Sequence, residues 1–181
     1  MLQHRFIDSA ISNPDKIAFI DRSTERDISY SQALLASLIL ARRFGKLERG
    51  RIGIMLPTSS GGGLAIIGAV MAGRTPVMIN YSTGAEKNCR YAQDSCDFRI
   101  IITTKALLEK TGCAHLPEMV FIEDILSSLG KFEKATAFLK SKLPRPLLKR
   151  LVGKPNLDLP AVILFTSGSE KEPKVVQLSQ R

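Results

Sequence analysis

The chemistry-bearing residues concentrate near the end of the chain, in Ile163-Leu164-Phe165-Thr166-Ser167-Gly168-Ser169-Glu170-Lys171-Glu172-Pro173-Lys174. A run of strand type passes straight into three hydroxyls and a glycine. Such a loop can fold its amide and hydroxyl donors around a phosphate, Lys174 can supply positive charge, and Pro173 stiffens the exit. The GxxxxGK[ST] pattern of the P-loop is absent, so any polyphosphate would be held by a different arrangement. An ordinary polar loop at a strand end fits the same residues, and the residue types alone leave both readings open.

Two other groups invite chemistry and give none. Ser59-Ser60-Gly61-Gly62-Gly63 lies between a strand pattern and a helix pattern, where a dinucleotide-binding turn would cradle pyrophosphate. A GxGxxG spacing counted from Gly61 and Gly63 would need glycine where Ile66 stands, and the next strand closes on Asn80-Tyr81 rather than on an acid. A tight, flexible turn is the expectation there. Cys89, Cys96 and Cys113 have neither an even count nor CxxC spacing, so they predict small buried thiols in a reducing compartment, without disulfide or zinc.

The elements that must position the hydroxyl-rich loop follow from periodicity. Residues 17–21 and 28–30 read as a hairpin, and Leu34, Leu35, Leu38 and Ala41 recur at helical spacing. Strand patterns at 51–56, 75–80, 98–103, 119–122 and 161–165 alternate with helical patterns at 64–72, 85–94 and 105–110. Strands apolar on both faces that alternate with helices predict an α/β fold with a largely parallel sheet covered by helices.

A chain of 181 residues with 44% hydrophobic and 24% charged residues suits one soluble globular domain and excludes collagen-like and wholly disordered classes. The longest apolar runs, 33–41 and 64–73, are about half the length a membrane span needs. Net charge is +9, and most of it sits in residues 131–154. There Lys131, Lys134, Lys140, Lys142, Arg145, Lys149, Arg150 and Lys154 face one acid, Glu133, for a local excess of +7. Phosphate-bearing partners are drawn to such a stretch. Its interleaved residues, including Leu139, Leu143, Leu147 and Leu151, are mostly aliphatic, which favours an anionic membrane surface over nucleic acid. A solvated, proline-broken basic connector over 131–157 is the plainer reading.

The run from Ile163 to Lys174, continuing Val175-Val176-Gln177-Leu178-Ser179, resembles the phosphate loop of the adenylate-forming (AMP-binding) ligase superfamily, T-S-G-[ST]-[TE]-G-x-P-K-G-V. Thr166, Ser167, Gly168, Ser169, Glu170, Pro173, Lys174 and Val176 match it. Weaker motifs occur upstream in the family's order: Asn13-Pro14-Asp15-Lys16-Ile17-Ala18, Ile52-Gly53-Ile54-Met55-Leu56-Pro57 and Gly73-Arg74-Thr75-Pro76-Val77-Met78-Ile79-Asn80-Tyr81. Glu170 in place of threonine is similar to the fatty-acid-activating branch. The nearest likeness there is to the synthetase portion of bifunctional acyltransferase/acyl-acyl-carrier-protein synthetases. Three positions depart from the pattern, since Lys171 and Val175 replace glycines and Gln180 replaces a histidine.

The resemblance implies that residues 1–181 are the N-terminal part of such a ligase domain. Thr166, Ser167, Gly168, Ser169, Glu170 and Lys174 would bind ATP, with Mg2+ as its counter-ion. The family's acidic metal ligand, hinge and catalytic lysine belong downstream, so no catalytic or metal-ligating residue is expected within the chain. The segment reaching Arg181 would run on as a helix. The implied partners are a fatty acid and an acyl carrier protein or coenzyme A, and no nucleic acid. The implied location is cytoplasmic, on or near the inner face of a membrane. The rival expectation is a non-catalytic α/β module that binds a nucleotide or a membrane.

Overall fold

The computed structural model of the protein describes residues 1–22, 24–152, 159–166 and 173–180. Helix α1 (Leu2–Ser12) leads into a separate antiparallel hairpin, β1 (Ile17–Asp21) and β2 (Arg26–Ser29). Then α2 (Tyr30–Phe44), β3 (Arg51–Ile54), α3 (Ser60–Met71), β4 (Thr75–Met78), α4 (Ala85–Cys96), β5 (Ile101–Thr103), α5 (Lys105–Thr111) and β6 (Met119–Phe121) follow. Helices α6 (Ile122–Ser127), α7 (Lys131–Ser141) and α8 (Arg145–Leu151) precede β7 (Pro160–Phe165) and β8 (Val175–Ser179).

Six strands form one sheet in the order β6-β5-β3-β4-β7-β8. Every pairing is parallel except the last, where β8 runs antiparallel to β7. The largely parallel α/β sheet expected from the alternation is therefore present. Side chains on successive strand positions enter opposite cores, as the two-residue strand period requires. Ile52, Ile54 and Ile102 join the core beneath α2 and α3. Met55, Val77, Ile101 and Ile163 join the one beneath α4 and α5. The helix after β3 and the helix after β4 thus cover opposite faces, which opens a crevice at the carboxyl ends of the central strands.

Several elements differ from the sequence reading. The glycine cluster is the first turn of α3 rather than a flexible loop. The Ser59 hydroxyl caps the helix, accepting from the Gly62 amide at 3.2 Å. A Cβ on Gly62 would stand 2.6 Å from the Pro57 carbonyl oxygen, and one on Gly63 would stand 2.6 Å from the Phe19 ring. These glycines let the hairpin and the β3–α3 turn approach the helix end. The buried Asp21 carboxylate occupies that end, accepting from the Ser60 amide at 3.0 Å and the Ser60 hydroxyl at 2.6 Å. An acidic side chain already meets the positive helix terminus, so the turn is structural.

Helix α1 escaped the sequence reading because its buried residues, Gln3, Ile7 and Ala10, include a polar one and make a thin stripe. Residues 175–179, which the sequence reading left unassigned, form a strand, and the helix expected at Arg181 falls outside the described residues. Val175 and Val176 favour strand, and β7 offers them an open edge.

The described part of the basic segment contains two packed helices. On α7, Ala137 is buried, and Glu133 takes two short bonds from Arg43 of α2, Nε to Oε1 at 2.8 Å and Nη2 to Oε2 at 2.6 Å. On α8, Leu148 is fully buried against α1 and α2. Pro146 lies in the first turn, where its missing N–H removes no helical bond, so this proline starts a helix rather than breaking one. Lys149 reaches Asp8 of α1 at 2.7 Å, and Arg145 lies 3.5 Å from the same carboxylate. Lys154 falls outside the described residues.

Candidate phosphate-binding site

Strand β7 ends where the hydroxyl-rich segment begins, and β8 starts where it ends. Phe165 pairs with Val175 as the last rung of the ladder, and one further closure lies beyond it. The Thr166 amide donates to the Lys174 carbonyl at 3.0 Å, and the Lys174 amide donates to Thr166 Oγ1 at 3.1 Å. Thr166 and Lys174, eight residues apart in sequence, are brought together as the two feet of one loop. Because Thr166 Oγ1 accepts from Lys174, its own proton stays available to a ligand. The Lys174 side chain is exposed. Ser167, Gly168, Ser169 and Glu170 lie outside the described residues, as does Lys171.

Helix α4 braces the residue next to each foot, Phe165 and Pro173. The Tyr91 hydroxyl donates to the Pro173 carbonyl at 2.6 Å, and the Tyr91 ring meets Phe165 edge-on at 5.8 Å. Tyr91 was not identified from the sequence, although a signal was there. The buried stripe of α4 is Ala85, Cys89, Ala92 and Cys96, and Tyr91 falls off that stripe. An aromatic residue placed away from the core face needs another partner, and here the partner is the loop.

Beside the feet, Ile79, Asn80, Thr83, Asn88, Phe165 and Thr166 line a cleft of about 120 Å³ at the carboxyl ends of β4 and β7. Its wall is braced internally, since Asn88 Nδ2 donates to the Asn80 carbonyl at 2.8 Å and to the Thr83 carbonyl at 2.7 Å. Ligands of open α/β sheets bind outside this edge. The arrangement can therefore present the Thr166 hydroxyl and the Lys174 ammonium to an anion, with a polar cleft alongside for the rest of the molecule. Among the described residues no three His, Cys, Asp or Glu side chains stand together to hold a metal ion, so Mg2+ is given no ligands here.

The family model described as AMP-binding enzyme matches residues 6–181. The chain belongs to this family. It is 27% identical over 164 residues to the long-chain-fatty-acid–CoA ligase ACSBG2 of Xenopus laevis, a match covering 84% of this chain and 22% of the relative. Its fold is similar to that of O-succinylbenzoate coenzyme A synthetase (MenE) from Bacillus subtilis in complex with AMP. There the TM-score is 0.71 at 15% identity, over 97% of this chain and 42% of that one. A fatty acyl CoA synthetase from Mycobacterium tuberculosis superposes with a TM-score of 0.68 at 17% identity, over 98% of this chain and 34% of that one. The chain thus spans less than half the length of each of these relatives. The family and the fold agree with the expectation drawn from the motifs.

The three cysteines take no part in the site. Cys89 and Cys96 are buried and Cys113 half-buried, all as free thiols. Burial pushes the Cys89 thiol up to about 12, and it moves Cys96 and Cys113 upward as well.

Proposed function

We propose that the chain is the N-terminal part of an ATP-dependent fatty-acid synthetase, which activates a carboxylate as acyl-AMP and then passes the acyl group to a thiol. The observation that carries this reading is the loop whose feet, Thr166 and Lys174, are bonded to each other at the carboxyl edge of the sheet, with Tyr91 braced on the adjoining Phe165 and Pro173. The family supplies the reaction class. Thr166, Ser167, Gly168, Ser169 and Lys174 would hold the β- and γ-phosphates. A carboxylate oxygen attacks the α-phosphorus, the bond from phosphorus to the leaving oxygen breaks, and negative charge grows on departing pyrophosphate. Hydroxyl and ammonium donors on this loop would stabilise that charge as it develops. Glu170 suits this loop as a cap or a contact to the bound cation, since a bare carboxylate repels polyphosphate. Mg2+ would screen the phosphates in such a reaction.

The acyl acceptor is the finer part of the proposal. Glu170 and the Pro76-Val77-Met78-Ile79-Asn80-Tyr81 run favour an acyl carrier protein. The Xenopus relative is by name a coenzyme A ligase. Supplying acyl-AMP with each thiol in turn separates the two. Peripheral attachment to an anionic membrane, expected from the basic segment, would place such an enzyme beside its acyl substrate. The chain by itself is expected to make no acyl-AMP, because the family resemblance places the acidic metal ligand and the catalytic lysine downstream of the phosphate loop.

The deciding experiment is Lys174→Ala in the full-length ligase. Losing a charge-assisted phosphate contact should cost about 1.5–3 kcal/mol, or roughly ten- to a hundredfold in the adenylation rate measured by pyrophosphate release. Thioester formation from pre-formed acyl-AMP should be nearly unchanged, because pyrophosphate has already left. Equal slowing of both steps would mean that Lys174 serves the fold or the acceptor site, and would remove the loop from phosphate binding.

A further inference from the structure

Helix α7 is turned inside out. Its polar and small residues face the protein, with Glu133 against Arg43 and Ala137 in the core. Its large apolar residues face away. Phe132 is 81% exposed, Leu139 68% and Phe138 52%. An amphipathic helix normally buries its apolar stripe, and a contiguous exposed one marks a contact surface. The rotation is not a loose end, because the paired Arg43–Glu133 bonds and the bond from Arg43 Nη2 to the Ser128 carbonyl at 3.0 Å set which side faces out.

The charges around this stripe are of one sign. Lys131 and Lys142 bound the outward face at its two ends, with the Lys142 ammonium 5.5 Å from the Phe138 ring centre, and Lys134 flanks it. None of the three has a carboxylate within ion-pair distance among the described residues. The helix's one acid, Glu133, is turned inward and neutralised. Two further cations of the basic segment, Arg145 and Lys149, are spent on Asp8 and add nothing here. What remains is an aromatic and aliphatic stripe ringed by uncompensated lysines.

We propose that this outward face of α7 is a docking surface for an anionic lipid bilayer, with Phe132 and Leu139 entering the acyl boundary while Lys131, Lys134 and Lys142 meet the headgroups. The charge pattern selects lipid over a second copy of the chain. Two such faces brought together would oppose lysine to lysine, whereas an anionic bilayer supplies both the apolar phase and the counter-charge. The proposal rests on the membrane attachment in the functional reading and names the surface that makes it. Its failure would leave the pyrophosphate-release result untouched.

The chain has no tryptophan, so F132W introduces a unique fluorophore. Flotation with phosphatidylglycerol–phosphatidylethanolamine vesicles and with phosphatidylcholine vesicles should show at least about tenfold stronger partitioning to the anionic set. Raising salt from about 0.1 M to about 0.5 M should weaken it, since the Debye length shortens. The F132W indole should shift to the blue on the anionic vesicles. The double variant F132S/L139S should lose most of the partitioning with its circular dichroism and melting unchanged, because both side chains are exposed. The triple variant K131E/K134E/K142E should lose the salt-sensitive part, at about fivefold per lysine. Binding that is absent or equal on both vesicle types, or an indole that stays in water on bound protein, would overturn the proposal. So would lipid-free self-association that buries the indole.

Discussion

At the residue scale, the loop's position depends on one phenol. Tyr91→Phe keeps the edge-on contact with Phe165 and removes only the bond to the Pro173 carbonyl. The expected outcome is a stability change of about 1 kcal/mol or less, with faster hydrogen exchange at the amides of Thr166 and Lys174. In the full-length ligase the same variant should raise KM for ATP several-fold more than it changes the thiol-transfer step. Unchanged exchange at those amides would mean that the ladder rung Phe165–Val175 holds the loop without help from α4. The thiols supply a second test. With the Cys89 thiol pushed up to about 12 by burial, a thiol reagent applied to native protein near neutral pH should label Cys113 first. Cys89 and Cys96 should react only on unfolding, and the labelled peptides identify the order.

At the element scale, the start of α3 shows propensity and packing in conflict. Alanine is favoured over glycine in a helix by about 1 kcal/mol, so Gly62→Ala should stabilise α3 if propensity decides. The added Cβ, however, would sit 2.6 Å from a backbone oxygen, which cannot swing aside as a side chain can. Steric cost wins, and net destabilisation of about 1–3 kcal/mol is expected from denaturant unfolding. Asp21→Asn, at the same helix end, removes the charge that accepts from Ser60 and should likewise destabilise the junction of hairpin and helix. The effect should be no more than about 1.5–3 kcal/mol, the range for hydrogen bonds to charged groups.

At the scale of the whole molecule, the first and the last helices of the described chain are tied together by charge. Asp8 of α1 accepts from Lys149 of α8, 141 positions later, and that bond, aided by Arg145, holds the Asp8 carboxyl below the ordinary carboxylate range. A lowered carboxyl favours the folded state at pH values above its unfolded pKa and loses that contribution as pH falls through the folded one. Asp8→Asn should therefore melt below the unsubstituted chain at neutral pH. The two melting curves should converge once the pH is well under 4, near the unperturbed value for aspartate. A gap that persisted in acid would show that the substitution acts through packing of α1 on α8 instead of through charge.

What the sequence determined by itself was local chemistry and period. The hydroxyls from Thr166 to Ser169 with Lys174, the alternation of apolar strands with helices, and the order of motifs placed the chain in a family and an α/β class. Strand and helix periods are properties of a dozen residues at a time, and a phosphate-loop motif is a property of adjacent residues. The tertiary structure decided whatever depends on residues far apart in the chain. Asp21 capping Ser60, Arg43 orienting Glu133 and Asp8 meeting Lys149 join positions 39, 90 and 141 residues apart. No local pattern encodes them. The same reason explains why prolines read as breakers begin α8, why glycines read as a flexible turn begin α3, and why α7 shows its phenylalanines to the outside. A helix face is apolar by sequence, but whether it turns inward depends on which distant partner holds the other side.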